Sequence, residues 1–264
     1  MDIEDMYNEF LIVEAIKSTR YGWVKDRIDN RDKLLQNNND TSLPRNFSLR
    51  EKMPPVINQG KLGSCTANAI ANAILYCEMI EKIDNKPRSR LFIYYNERML
   101  ENSVDVDSGA QIRDGIKTIN SQGVCSEDSW PYDISKFTIK PPDTCYTEAK
   151  THKVIKYRKV NQTVNDIKKA LYRGFPIIFG FVVYDSIEKP TVTKSGIIPL
   201  PNSENKEIGG HAIICVGWDD VRRLFIIQNS WGIEWGDKGF GYISYDYLSN
   251  TNLASDFWVL EFTN

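Results

Sequence analysis

The segment LGSCTANAIANAILYCEMI, residues 62–80, sets one cysteine, Cys65, at the head of a run of small and apolar residues with helical texture. A cysteine attacks as its thiolate, and three features supply that form: a helix N-terminus, a neighbouring imidazole and partial exclusion of water. Cys65 falls in the first turn of its helix, where unpaired N–H groups and the helix dipole favour an anion. The chain offers two histidines as the imidazole. His152 sits in EAKTHKVIKYRK, a charged stretch that reads as solvated surface with no evident partner. His211 opens the apolar strand GGHAIICVGW behind two glycines that let another segment come close, so its ring can project into a cleft from a rigid element. In QNSWG, Asn229 supplies an amide oxygen able to accept that imidazole's N–H. Gln59 lies in a loop running toward the helix start, and its amide, with the Cys65 backbone N–H, can hold a developing oxyanion. Taken singly, a cysteine among alanines or a histidine on an apolar strand is an ordinary core residue. Four such polar groups in three separate motifs point instead to acyl transfer.

Elements must position these groups, and the chain divides by texture. Residues 4–19 carry Met6, Phe10, Val13 and Ile16 at helical spacing, and QNNNDTSLP (residues 36–44) reads as a polar linker, so residues 1–43 form an appendage. A Pro/Gly-punctuated loop then leads to the helix opened by Ser64, whose alanines permit close burial. Further helices are expected at residues 89–102 and 110–122, the second closed by Gly123, with KFTIKPPDTCY a loop after it. From Val154 onward, PIIFGFVVY, GGHAIICVGWDD, LFIIQNSWG, FGYISYDYL and DFWVLEF read as antiparallel strands. A helical first half and a β second half imply an α+β protein of two lobes.

Composition excludes several classes. The 264 residues, 41% hydrophobic, suffice for a full core, and 33 basic against 35 acidic residues leave no basic field for nucleic acid. The acidic start MDIEDMYNEF and the lack of a long apolar run give no classical signal peptide and no membrane span. A soluble protein is expected, cytoplasmic or delivered by another route to a host or lysosome-like compartment. Cys65, Cys77, Cys125, Cys145 and Cys215 form no C-x-x-C pair and are odd in number, so thiols are the default. With two histidines and scattered cysteines, no zinc site, other metal or cofactor is expected.

Q-G-x-x-G-S-C at residues 59–65, G-G-H-A at 209–212 and N-S-W-G-x-x-W-G at 229–236 resemble the papain-like (cathepsin-type) cysteine proteases. The resemblance covers roughly residues 43–264. It implies a helical left lobe carrying Cys65, a β right lobe carrying His211 and Asn229, and a cleft between them that takes protein or peptide substrates. Several positions depart from the family pattern: Thr66 follows the nucleophile where an aromatic is usual, and Leu62 takes the place of a disulfide cysteine. The glycine pair that lines the family's cleft is represented by Ser108, Gly109 and Ala110, and Gly210 and Trp231 are expected beside them, with Trp231 shielding the Asn229–His211 hydrogen bond. The C-terminal run LASDFWVLEF places Ala254, or its neighbours Ser255 and Asp256, at the floor of the main side-chain pocket. Ala254 facing inward would favour apolar residues; Asp256 would also admit Arg or Lys.

The resemblance therefore implies a peptidase working through a Cys65 thioacyl-enzyme, with a thiol acyltransferase or ligase, or a silent binding protein on the same fold, as alternatives. An endopeptidase is expected, because the one spare histidine, His152, is far from any insertion that could grip a terminal carboxylate. Residues 1–43 are either a removable inhibitory segment, as in a zymogen, or a permanent structural cover over an apolar patch, and either could lay Tyr21 and Trp23 against the domain that follows at residues 44–264.

Overall fold

The computed structural model describes residues 21–37, 42–153 and 156–261; the helix expected over residues 4–19 and part of the polar linker lie outside them. The first half contains β1 (Trp23–Val24), β2 (Asn46–Ser48), α1 (Cys65–Ile80), α2 (Arg90–Leu100), β3 (Ala110–Gln111), α3 (Ile112–Gln122) and α4 (Asp143–Ala149). The second contains β4 (Lys156–Lys159), α5 (Val164–Tyr172), β5 (Ile177–Tyr184), α6 (Pro190–Ser195), β6 (Ile197–Ile198), β7 (Glu207–Asp219), β8 (Leu224–Gln228), β9 (Phe240–Ser244), α7 (Tyr245–Ser249) and β10 (Ala254–Glu261).

Helix α1 is the axis of the molecule. Sixteen residues without Gly or Pro, rich in alanine, favour the helix. It is buried on all sides from Cys65 to Tyr76, as a helix apolar all round must be. One side packs on β7 and β5, the other on α2 and α3. The main sheet runs β4-β10-β5-β7-β8-β9-β6, with β2 added to β7. Its pairs are antiparallel except β6 with β9. The result is an α+β fold of two lobes, with helices gathered on one side and the sheet on the other.

Four local expectations change. Ser64 does not cap α1 with its side chain: its backbone (φ −96°, ψ 25°) is not extended, and its hydroxyl meets Tyr132 and accepts from Asn68 Nδ2 at 3.0 Å. The helix after Gly109 starts at Ile112, because Ala110 and Gln111 are drawn into pairing with β1. The loop expected over residues 136–146 turns helical after Pro142. The β half also contains three helices: Thr163 and Ser244 cap α5 and α7 by accepting from Asp166 N and Tyr247 N, and Pro190 starts α6. The aromatic content of YDYL masked a cap signal.

Candidate active site

Cys65 is the first residue of α1 and is fully buried. Backbone N–H groups of Ala212, Gly22 and Thr66 point at its sulfur, yet burial outweighs them and pushes the thiol up to about 12. His211 faces the same space from β7. Its Nε2 lies 2.8 Å from Asn229 Oδ1, which also accepts the Ser230 backbone N–H at 2.8 Å. That second donor fixes the amide orientation, so Nε2 carries the proton and Nδ1 is the free base, with no hydrogen-bond partner among the described residues. Trp231 stacks on the imidazole at 4.6 Å between ring centres and closes it off from water. This burial pulls the imidazole down to about 4, the Asn229 bond opposing it.

Gln59 is held between the lobes. Its Nε2 donates to Leu62 O at 3.0 Å and its Oε1 accepts from Ser230 Oγ at 2.7 Å. Backbone pairing of Gln59 N with Ser230 O (2.9 Å) and of Asn58 with Trp231 ties the loop before α1 to the Asn229 segment. Thr66, in the place of the family's aromatic, donates to Glu97 Oε1 at 2.6 Å. Glu97 is wholly buried, and burial holds its carboxyl well above the usual range.

The far wall of the cleft is braced from α2. Arg98, stacked on Tyr94, donates to Val104 O, Val106 O and Phe137 O. Asp107 accepts from Gly63 N at 3.0 Å, and Gly109 N donates to Tyr94 OH at 3.2 Å. This sets Gly109 and Ala110 along the cleft edge.

The cleft is occupied by the chain's own residues 21–26, here termed the strap. Trp23 and Val24 pair in parallel with Ala110 and Gln111, Gly22 pairs with Gly210, and Ala110 N donates to Gly22 O at 2.8 Å. A Cβ on Gly22 would stand 1.8 Å from Gly63 O, and one on Gly109, at φ +70°, 2.0 Å from Gly22 O. The two chains approach too closely for side chains at either position. Tyr21 packs edge-on against His211 and Trp231. The Trp23 indole, 9% exposed, fills a pocket against Gly180 and Gly210 and donates from Nε1 to Asp256 Oδ2 at 3.1 Å. Asp256 reaches it from a bulge in β10, where its φ of 60° lies in the left-handed region. Ala254 and Ser255 line a cavity of about 390 Å³ beside the same indole.

The structure thus gathers Cys65, His211, Asn229, Gln59, Gly109, Ala110, Gly210, Trp231, Ala254 and Asp256 around one cleft. His152 differs from its reading as partnerless surface: its Nδ1 lies 3.0 Å from the buried Glu78, which also binds Arg88. All five cysteines are free thiols. Among the described residues no helix is long and apolar enough to cross a membrane. Sequence reasoning missed Ser230, Glu97 and Asp26; only Ser230, adjacent to Asn229, carried any signal.

A helix-borne thiol facing an Asn-held imidazole across two lobes defines a cysteine peptidase, and the chain belongs to the papain family of cysteine proteases, whose model matches residues 43–259. It is 45% identical over 273 residues to an uncharacterised peptidase C1-like protein of Acanthamoeba polyphaga mimivirus, covering 92% of this chain and 87% of that one. It resembles the crystal structure of xylellain, a cysteine protease from Xylella fastidiosa, with TM-score 0.88 and 40% identity over 94% of this chain and 97% of that one. Mouse procathepsin L is 26% identical over 85% of this chain and 67% of its own length.

Proposed function

We propose that the protein is a cysteine endopeptidase, residues 44–264, held latent by residues 1–43. The observation that carries this reading is the strap itself: an extended polypeptide already lies across the Cys65 sulfur, paired as a strand with Ala110 and with one aromatic side chain in a pocket. The Gly22 N–H meets the sulfur, so the strap covers the thiol directly. With the strap gone, water returns, and a thiolate–imidazolium pair becomes accessible to Cys65 and His211. Cys65 then attacks a peptide carbonyl, and the oxyanion is held by the Gln59 amide and the Cys65 N–H. His211 protonates the leaving amine and next activates water for deacylation, while Asn229 keeps the ring oriented.

Side-chain preference follows from Asp256. A carboxylate that meets the strap's indole N–H would meet a donor on a substrate, so Arg and Lys are accepted alongside large apolar residues that pack by Ala254. Deleting residues 1–40 tests the reading as a whole. The truncated protein should stay folded and gain peptidase activity, and full-length protein should be cut in the linker before Pro44, but not as Cys65→Ala unless active enzyme is added. Equal activity with and without the segment, and an intact linker under all active conditions, would discard it.

A further inference from the structure

The strap makes a second contact with the pocket that plays no part in the chemistry above. Two buried carboxyl side chains act on one another there: Asp26 of the strap and Asp256 of β10, 8% and 4% exposed. Asp256 Oδ2 accepts from the Trp23 indole at 3.1 Å and from the Asp26 backbone N–H at 2.8 Å. Asp26 accepts from the Arg113 backbone N–H at 3.1 Å and from the Trp258 indole at 2.8 Å. These donors are all neutral, as is the Ser255 hydroxyl beside Asp256, while the Lys159 charge opposes the rise at Asp256 and the Arg113 charge that at Asp26. The Arg113 guanidinium is paired with Asp32 at 3.1 Å, and the Lys159 ammonium stands over the Trp258 ring, 5.8 Å from its centre. Lys25 and Arg27, on either side of Asp26, are exposed.

Two buried carboxylates with only neutral donors in hydrogen-bond contact are costly to ionise together. Burial and then the Asp256 charge push the Asp26 carboxyl well above the usual range, and burial pushes Asp256 up as well. We propose that the docked strap holds a proton on Asp26 beside Asp256, making the pair a latch that closes at acid pH and is released as pH rises. This rests on the reading of the strap as an inhibitory segment. The sign follows from linkage: on the free strap Asp26 titrates near about 3.9, whereas docked it holds its proton to higher pH, so docking takes up a proton. Docking is therefore tightest below the free value and weakens as pH rises toward the docked one, about tenfold for each unit by which the pKa is raised.

Amide hydrogen exchange of residues 21–27 in full-length Cys65→Ser protein, divided by the intrinsic rate at each pH, measures docking without self-cleavage. Protection should fall by about tenfold or more between pH 5 and 8, while residues 65–80 keep theirs. Asp26→Asn cannot ionise, and its amide oxygen can still accept from the Arg113 N–H and the Trp258 indole, so it should stay protected across the range; Asp256→Asn, which removes the like charge, should reduce the change. Protection that is flat or rises with pH, or an Asp26→Asn strap that opens like the parent or never docks, would overturn the latch. Iodoacetamide labelling of Cys65 at pH 6, with and without Trp23→Ala, tests the block separately. Equal labelling rates would remove the inhibitory reading and leave the proton linkage to stand or fall on exchange.

Discussion

Around the Cys65 sulfur, three backbone N–H groups compete with nearly complete exclusion of water, and with the strap docked exclusion prevails. Once the strap is removed, Cys65→Ala and His211→Ala should each lower kcat/KM by about 10³-fold or more, and Asn229→Ala by less, roughly 10–100-fold, because it orients and moves no proton. Initial rates on a fluorogenic peptide measure all three. His152→Ala should leave those rates unchanged. At the pocket, Asp256→Ala should lower the Arg/Leu ratio of kcat/KM about tenfold or more; an unchanged ratio would shift recognition to Ala254 and its neighbours. The residues of the site were legible in the sequence because Cys65, His211, Asn229 and Gln59 are polar groups in dense local motifs. Glu97, Asp26 and Ser230 were not, since each takes its role from a contact distant in the chain: Glu97 from Thr66, Asp26 from Trp258, Ser230 from Gln59.

Among the elements, α1 carries the thiol and the strap lies over it. A thiol raised to about 12 is ionised to only about 10⁻⁵ at pH 7, so iodoacetamide should label Cys65 of the full-length protein at least about 10³-fold more slowly than that of the truncated protein. Mass spectrometry of the intact proteins over time checks this, and comparable rates would mean that the strap neither covers nor desolvates Cys65. Trp23→Ala removes a buried aromatic worth about 3 kcal/mol, which should loosen the strap about a hundredfold and raise labelling accordingly. Elements were readable where one period dominated, as in α1, β5 and β7. The short helices α5, α6 and α7 were hidden among β-rich runs because their start signals are single capping or proline residues, outweighed by aromatic and β-branched neighbours. The pairing of β1 with β3 had no sequence signal, since each strand has two residues and they come from opposite sides of α1.

At the scale of the whole molecule, the two lobes are joined through α1, and the end of that helix is tied down by a buried charge cluster. Arg88 Nε lies 2.6 Å from Glu78 Oε2, both side chains essentially without solvent exposure, with Asp84 and His152 completing the group. Removing the cation leaves Glu78 buried without its main partner, so Arg88→Ala should cost about 3–5 kcal/mol in urea unfolding. His152→Ala should cost about 1 kcal/mol. Neither change touches the cleft, and the activity of the protein that remains folded should be unaltered. Freed of its strap, this fold should hydrolyse peptide bonds within chains through Cys65. Incubating the strap-deleted protein and its Cys65→Ala counterpart with a mixed peptide library, and sequencing the products by mass spectrometry, tests it most directly. Internal cleavages are expected with a pocket-filling Arg, Lys or large apolar residue two positions before the cut, and none with Cys65→Ala. Equal cleavage by both proteins, or no cleavage by either while both remain folded, would contradict it.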